Sequence, residues 1–202
     1  QYLNKNHAFR YKIINPARKA LLNPHLDGSI PSTSAVGWRS FSPMVGFGNI
    51  DVINTNGCGA NCNAFIDALE NNSYLWTYMA GGGTDTSCAG SVFTSDYCFT
   101  RTLNTVFMQL YGSYFVEWAK GGLPVPNNLL RAPLTNSGMP LATCWTGGSP
   151  RWYFHPMGLG ETIGFATKLS QNNTTTYDPG NNQNLGGIHM ALMGDPSLRL
   201  HV

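Results

Sequence analysis

The chain is 202 residues long, which is enough for one well-buried domain and short for two. Only 11% of the residues are charged, and the net charge of +2 is spread without a basic run, so we exclude nucleic-acid binding. No apolar stretch approaches the roughly 18 residues that a membrane span requires, so we expect no membrane span. Low charge with abundant Gly, Asn, Ser and Thr favours an extracellular setting.

The N-terminal part has the weakest pattern. Residues 1–46 carry several prolines and glycines with mixed polarity, and we predict an N-terminal arm or irregular layer there. We place the main domain at residues 47–202, with a short strand at Ile50–Ile53. A helix is expected within "NCNAFIDALENN" because its apolar residues recur near helical spacing. Because the chain begins with Gln rather than Met, we expect it to be part of a larger polypeptide.

Four short apolar runs then predict strands that are buried on both faces. They cover residues 74–79, 105–111, 141–145 and 188–193. Ile163, Ala166 and Leu169 form a helical stripe between the last two runs, and residues 127–134 offer a shorter helical segment that Pro133 should limit. Strands that alternate with helices predict an α/β fold with a mostly parallel central sheet.

The cysteines favour an oxidising compartment. The chain has five, which allows two disulfides and one unpaired thiol, although spacing alone does not define the pairing. For Cys88 we favour a disulfide with Cys98 or another structural role over a role as nucleophile. Cys58 and Cys62 lack the partners of a haem or zinc site, since Asn63 stands where a haem motif needs His. We therefore expect no metal and no cofactor.

Loops that follow parallel strands meet at the carboxyl edge of the sheet, where ligands usually bind. We expect side chains from three such loops to converge there: Asp85, Ser87, Cys88, Ser113, Tyr114, Trp145, Arg151 and His155. The glycine run 81–83 fits neither a phosphate loop nor a dinucleotide fingerprint, so close backbone packing is its simpler explanation.

Two of these groups suggest specific chemistry. Cys88 could be a nucleophile with His155 as its base, which would require a free and accessible thiol. The aromatic loop Trp145–Phe154, with Trp145 and Trp152, could instead bind carbohydrate or peptide by stacking. Structural roles compete with both: a disulfide for the cysteine, a buried hydrogen-bonded position for the histidine and a core position for the aromatic residues.

The C-terminal stretch "IHMALMGDPSLRLHV" combines a buried strand, a Gly-Asp-Pro turn and a short alternating tail. It resembles the end of the catalytic domain of gingipain-type cysteine peptidases, and the order of the preceding strands is similar to theirs. The resemblance covers roughly residues 47–202 and implies a caspase-like, three-layer α/β fold. In that family one strand ends in Gly-His-Gly with the catalytic histidine, and the next strand ends with the catalytic cysteine.

Neither catalytic residue is present at the matching positions. Gly82 stands in place of the histidine, and Tyr111 lies near the place of the cysteine. Since a cysteine peptidase needs both a thiolate and an imidazole, the resemblance implies a domain without peptidase activity. We expect a bacterial, secreted or cell-surface interaction or assembly module with a protein or glycan partner.

Overall fold

The computed structural model of the chain describes residues 1–26, 32–58, 62–117, 119–120, 123–124, 127–147, 152–172 and 189–200. Its helices are α1 (Tyr2–Arg10), α2 (Ser32–Val45), α3 (Ala64–Asn71), α4 (Tyr97–Thr100), α5 (Ala132–Thr135), α6 (His155–Gly158) and α7 (Ile163–Gln171). Its strands are β1 (Ala20–Asn23), β2 (Ile50–Val52), β3 (Tyr74–Ala80), β4 (Ser87–Cys88), β5 (Phe93–Thr94), β6 (Thr105–Tyr111), β7 (Ala119–Lys120), β8 (Leu123–Pro124), β9 (Ala142–Gly147) and β10 (His189–Gly194).

Six strands form the central sheet, in the order β10-β9-β6-β3-β1-β2. Neighbouring strands are parallel except β10, which runs antiparallel to β9. The four predicted apolar runs correspond to β3, β6, β9 and β10. The predicted α/β class with a mostly parallel sheet is therefore confirmed, and two small hairpins, β4-β5 and β7-β8, lie outside the sheet.

Two hydrophobic cores cover the two faces of the sheet, because side chains alternate along each strand. On one face, Trp76 and Tyr78 pack with residues of α1, α2, α6 and α7; we call this the α2 face. On the other, Met79 and Met108 pack with residues of α3, α4, α5 and the β4-β5 hairpin; we call this the α3 face. The domain thus has helical layers on both faces of one sheet.

The described part of residues 1–46 differs from the predicted arm or irregular layer. β1 lies inside the sheet between β2 and β3, and all four of its residues are buried. Its run of four residues is too short to give a clear strand pattern. α2 extends through Pro43, which lies in the last turn of the helix. α5 likewise holds Pro133 in its first turn, where no backbone N–H is needed, so this proline does not end the helix as predicted.

The Gly-Asp-Pro turn that carries the family resemblance connects the two ends of the chain. Asp195 accepts hydrogen bonds from Asn6 (2.8 Å) and Arg10 (2.6 Å) in α1. The Tyr2 hydroxyl accepts from the Asp195 backbone N–H at 2.8 Å and donates to the Leu141 carbonyl. Because all these partners lie in α1 and at the start of β9, the motif anchors α1 to the sheet.

Candidate functional site at the carboxyl edge of the sheet

The loops that follow β3 and β6 begin side by side. Ala80 pairs with Tyr111 at the end of the two strands, and the Gly81 N–H donates to the Tyr111 carbonyl at 2.9 Å. Both loops therefore leave the sheet at its carboxyl edge, as the sequence predicted for parallel neighbours.

Close packing accounts for two of the three consecutive glycines. A Cβ atom on Gly81 would lie 2.6 Å from the Cβ and N of Ala89, and one on Gly83 would overlap the Ser87 carbonyl and the Phe115 ring. A Cβ on Gly82 would meet nothing within 4 Å. The predicted close packing is confirmed for the outer glycines, whereas the central one faces open space.

A pocket of about 200 Å³ lies between the two loops. Its lining residues are Gly83, Thr84, Asp85, Tyr114 and Glu117, and we call it the rim pocket. The backbone around it is fixed by hydrogen bonds from Leu129 N–H to the Asp85 carbonyl (2.7 Å) and from Glu117 N–H to the Tyr114 carbonyl (3.0 Å).

Tyr114 is an exposed aromatic residue of the rim pocket. It is 56% exposed and has a φ of 71°, a left-handed conformation that is uncommon for residues other than glycine. Ser113 beside it is also exposed, and Ser87 lies 3.0 Å from Thr84 through their hydroxyl oxygens. An aromatic side chain held outward by a strained backbone is typical of a ligand-contacting position.

Cys88 lies beneath this loop and does not reach the pocket. It is fully buried in the core of the α3 face, with its Sγ 3.9 Å from the Gly81 carbonyl. Burial raises the pKa of the Cys88 thiol far above its ordinary value. A neutral, buried thiol is a poor nucleophile, because the thiolate is the reactive form.

His155 is in a different part of the domain. It begins α6 and lines a second pocket, of about 250 Å³, with Arg39, Ser40, Pro43, Trp152 and Tyr153. Trp152 belongs to the core of the α2 face, opposite to the core that holds Cys88. Partial burial lowers the pKa of His155. The structure therefore does not bring Cys88 and His155 together.

The cysteine pairing differs from the expected one. Cys58 and Cys62 form a disulfide, whereas Cys88 and Cys98 are free and buried. The two thiols face different partners, since Cys98 Sγ lies 4.0 Å from the Thr94 carbonyl and Cys88 Sγ approaches Gly81. The predicted disulfide between Cys88 and Cys98 is therefore wrong.

The aromatic loop is mainly a core element. Trp152 and Phe154 stack with ring centroids 4.9 Å apart, and both are buried, as is Tyr153 between them. Trp145 is partly buried and donates its Nε1–H to the Gly112 carbonyl at 2.7 Å, which ties β9 to the loop after β6. These side chains do not form the predicted stacking surface, and Arg151 lies outside the described residues.

Sequence reasoning missed two residues of the rim pocket, Thr84 and Glu117. Glu117 lies three residues after Tyr114 in the loop "GSYFVEW", and that spacing brings both onto one turn, closed by the Glu117 N–H to Tyr114 carbonyl hydrogen bond. The acidic residue three positions after Tyr114 was the feature of the sequence that could have identified Glu117.

The described ranges contain no group of three or more His, Cys, Asp or Glu side chains that could hold a metal ion. Within the same ranges, no helix is long and apolar enough to cross a membrane. No protein-family model, curated protein or solved structure was found to match the chain. The fold and the rim pocket therefore define an α/β domain with a mostly parallel six-stranded sheet and a candidate binding pocket at its carboxyl edge.

Proposed function

We propose that the chain is a caspase-like domain without peptidase activity, which acts as an interaction module and binds a protein partner at the rim pocket. The observation that carries this proposal is the composition of the carboxyl edge. An exposed tyrosine and two acidic residues line its pocket, whereas Gly82 and Tyr111 occupy the positions that the resemblance assigns to a catalytic histidine and cysteine.

The burial of the thiols supports a role in binding rather than catalysis. The free cysteines of the described residues, Cys88, Cys98 and Cys144, are all buried, and burial raises the pKa of each. A peptidase of this type requires a thiolate within hydrogen-bond reach of an imidazole. Cys88 is buried in the core of the α3 face, whereas His155 lines a pocket with Trp152, which belongs to the core of the α2 face.

A protein partner at the rim pocket is better supported than a glycan at the aromatic loop Trp145–Phe154. Aromatic platforms that stack on sugars need exposed rings, and the rings of Trp152 and Phe154 are buried in the core. Tyr114 is exposed beside Glu117, and tyrosine is enriched at protein interfaces because it supplies a large apolar area with a polar end.

An extracellular location, on the cell surface or after secretion from a bacterium, fits the chemistry of the chain. Disulfides persist in oxidising compartments, and Cys58 and Cys62 are bonded to each other. The low content of charged residues leaves a largely neutral, polar surface.

A peptide array tests the proposal directly. The wild-type protein is applied to an array of random-sequence peptides, beside the double variant Tyr114→Ala/Glu117→Gln. We expect the double variant to lose about tenfold or more in affinity for the peptides that the wild type retains, as is typical when a central aromatic contact is removed.

The variant Tyr11→Ala provides the matched control. Tyr11 is also an exposed tyrosine, at 68%, but it follows α1 and does not line the rim pocket. Its replacement should leave peptide binding unchanged. Equal binding by the wild type and the double variant, or peptides cleaved by the wild type, would contradict the proposal.

A further inference from the structure

Three polar side chains form a hydrogen-bonded chain at the carboxyl edge, outside the rim pocket. His25 Nδ1 lies 2.9 Å from Thr55 Oγ1, and this hydroxyl lies 3.0 Å from Asn23 Oδ1. Asn23 and Thr55 are fully buried, whereas His25 is partly exposed. We call these three residues the His25 relay.

The His25 relay lies at the same edge as the glycine loop. Asn23 ends β1 and pairs with Met79 of β3, so His25 and Gly81 each follow their paired residue by two positions. Because β1 and β3 are parallel neighbours, the residues that follow them leave the sheet at the same carboxyl edge.

The direction of each hydrogen bond follows from the groups that can only donate. The backbone N–H of Thr55 donates to Asn23 Oδ1 at 3.4 Å, so this atom must be the amide oxygen. Thr55 also donates its single hydroxyl proton to that oxygen. The Thr55 oxygen can therefore only accept from the imidazole, and Nδ1 of His25 must carry a proton.

This arrangement determines the state of the second ring nitrogen. In a neutral imidazole one nitrogen donates and the other accepts, so Nε2 of His25 has a free lone pair. No hydrogen bond to Nε2 is found among the described residues. The imidazole therefore presents an acceptor whose tautomer the protein has selected.

A backbone hydrogen bond and a disulfide fix the chain next to Thr55. Cys58 N–H donates to the Thr55 carbonyl at 3.0 Å, and Cys58 is bonded to Cys62. The side-chain nitrogen of Asn23 is buried and has no hydrogen-bond partner among the described residues, so within them the relay keeps one polar group unsatisfied.

We propose that His25 is a second ligand-contacting residue of the carboxyl edge, which accepts a hydrogen bond from an N–H or O–H group of the bound partner through Nε2. This inference rests on the proposed function, because it assigns a further contact to the same binding edge. It also specifies the chemistry of the contact: the partner presents an N–H or O–H donor, such as a backbone amide, to the Nε2 acceptor.

Two variants of His25 distinguish the effect of the hydrogen-bond acceptor from the effect of the ring shape. His25→Gln places an amide group close to the position of Nε2 and can still accept, whereas His25→Phe keeps a ring and removes the acceptor. Thr55→Val retains the shape of the threonine but removes the hydroxyl that selects the tautomer. Urea unfolding of each variant checks that the fold is kept.

The test combines imidazole ¹⁵N spectra of His25, which distinguish the two tautomers, with the peptide array. We expect the Nδ1–H tautomer of His25 in the wild type and its loss in Thr55→Val. On the array we expect His25→Gln to keep most of the peptide affinity. We expect His25→Phe to lose about tenfold in affinity, which is the size of effect expected for the loss of one hydrogen bond.

An Nε2–H tautomer in the wild type would overturn the inference, and so would unchanged binding by His25→Phe. If Tyr114→Ala/Glu117→Gln abolished binding and His25→Phe did not, the inference would fail and the proposed function would stand. If the wild type bound no peptide at all, both would fail together.

Discussion

Lys5 provides a quantitative test of the way in which α1 is attached to the rest of the domain. The residue is only 7% exposed, and its ammonium group donates to the carbonyl oxygens of Leu134 (3.2 Å), Asn136 (2.7 Å) and Pro140 (3.1 Å). Among the described residues no carboxylate forms an ion pair with it. Burial lowers the pKa of Lys5 from 10.5 to about 8.

The sign of the effect on stability follows from proton binding in the two states. Between pH 8 and 10.5 the unfolded chain holds a proton on Lys5 and the folded chain releases it, so the free energy of unfolding rises with pH in this window. One pKa unit is worth about 1.4 kcal/mol, so the rise amounts to about 3 kcal/mol. The gain is absent below pH 8, where both states are protonated.

Urea unfolding of the wild type and Lys5→Met at several pH values measures this rise. Subtracting the two curves removes the contributions of the tyrosines, which titrate in both proteins. Lys168→Met is the matched control, because it removes the ammonium group of an exposed lysine by the same substitution. If the difference between wild type and Lys5→Met were constant from pH 8 to 10.5, the ammonium group would not be buried as described, and the reasoning would be refuted.

Three further predictions concern the turn at Asp195, the core and the glycine loop. Asp195→Asn should lower the free energy of unfolding by about 2 kcal/mol at neutral pH. Burial raises the pKa of Asp195, but hydrogen bonds from Ser197, Arg10 and Asn6 outweigh this and hold it well below its usual range, so the deficit should shrink as the pH falls below about 4 in urea titrations. Trp76→Ala should cost about 3–5 kcal/mol by the same assay, since the buried ring lies 4.3 Å from Phe154 between centroids, and a deficit below about 1 kcal/mol would contradict this packing. Gly81→Ala should cost about 1–3 kcal/mol, whereas Gly82→Ala, whose Cβ meets open space, should lie within about 0.5 kcal/mol of wild type; equal thermal stability of the two would count against the loop geometry.

The sequence predicted the sheet better than its surroundings, and the reason is physical. β3 and β6 are seven-residue apolar runs that are buried on both faces, so composition alone identifies them. β1 has four residues and follows a polar segment, and its burial depends on β2 and β3, which lie far away in the chain. A short strand whose burial depends on distant parts of the chain has little hydrophobic pattern in its own sequence.

The candidate site was predicted in part. The strand order determines that the loops after β3 and β6 meet, so Asp85 and Tyr114 could be placed at one edge from sequence. The face of the sheet on which each side chain lies could not be predicted, because it depends on where the chain turns after each strand. For this reason Cys88 and His155 were grouped in the sequence analysis, whereas the structure does not bring them together. His25 was overlooked because its significance depends on Thr55, which is 30 residues away.

The central claim is that the carboxyl edge binds a partner without thiol chemistry, and native-state alkylation tests it most directly. The folded protein is treated with a peptide-based thiol reagent, digested and mapped by mass spectrometry, with a denatured sample to show that every free cysteine can react. We predict that Cys88 remains unmodified in the folded protein and becomes modified once it is unfolded. Stoichiometric modification of native Cys88, together with cleavage of the peptides on the array, would contradict the account.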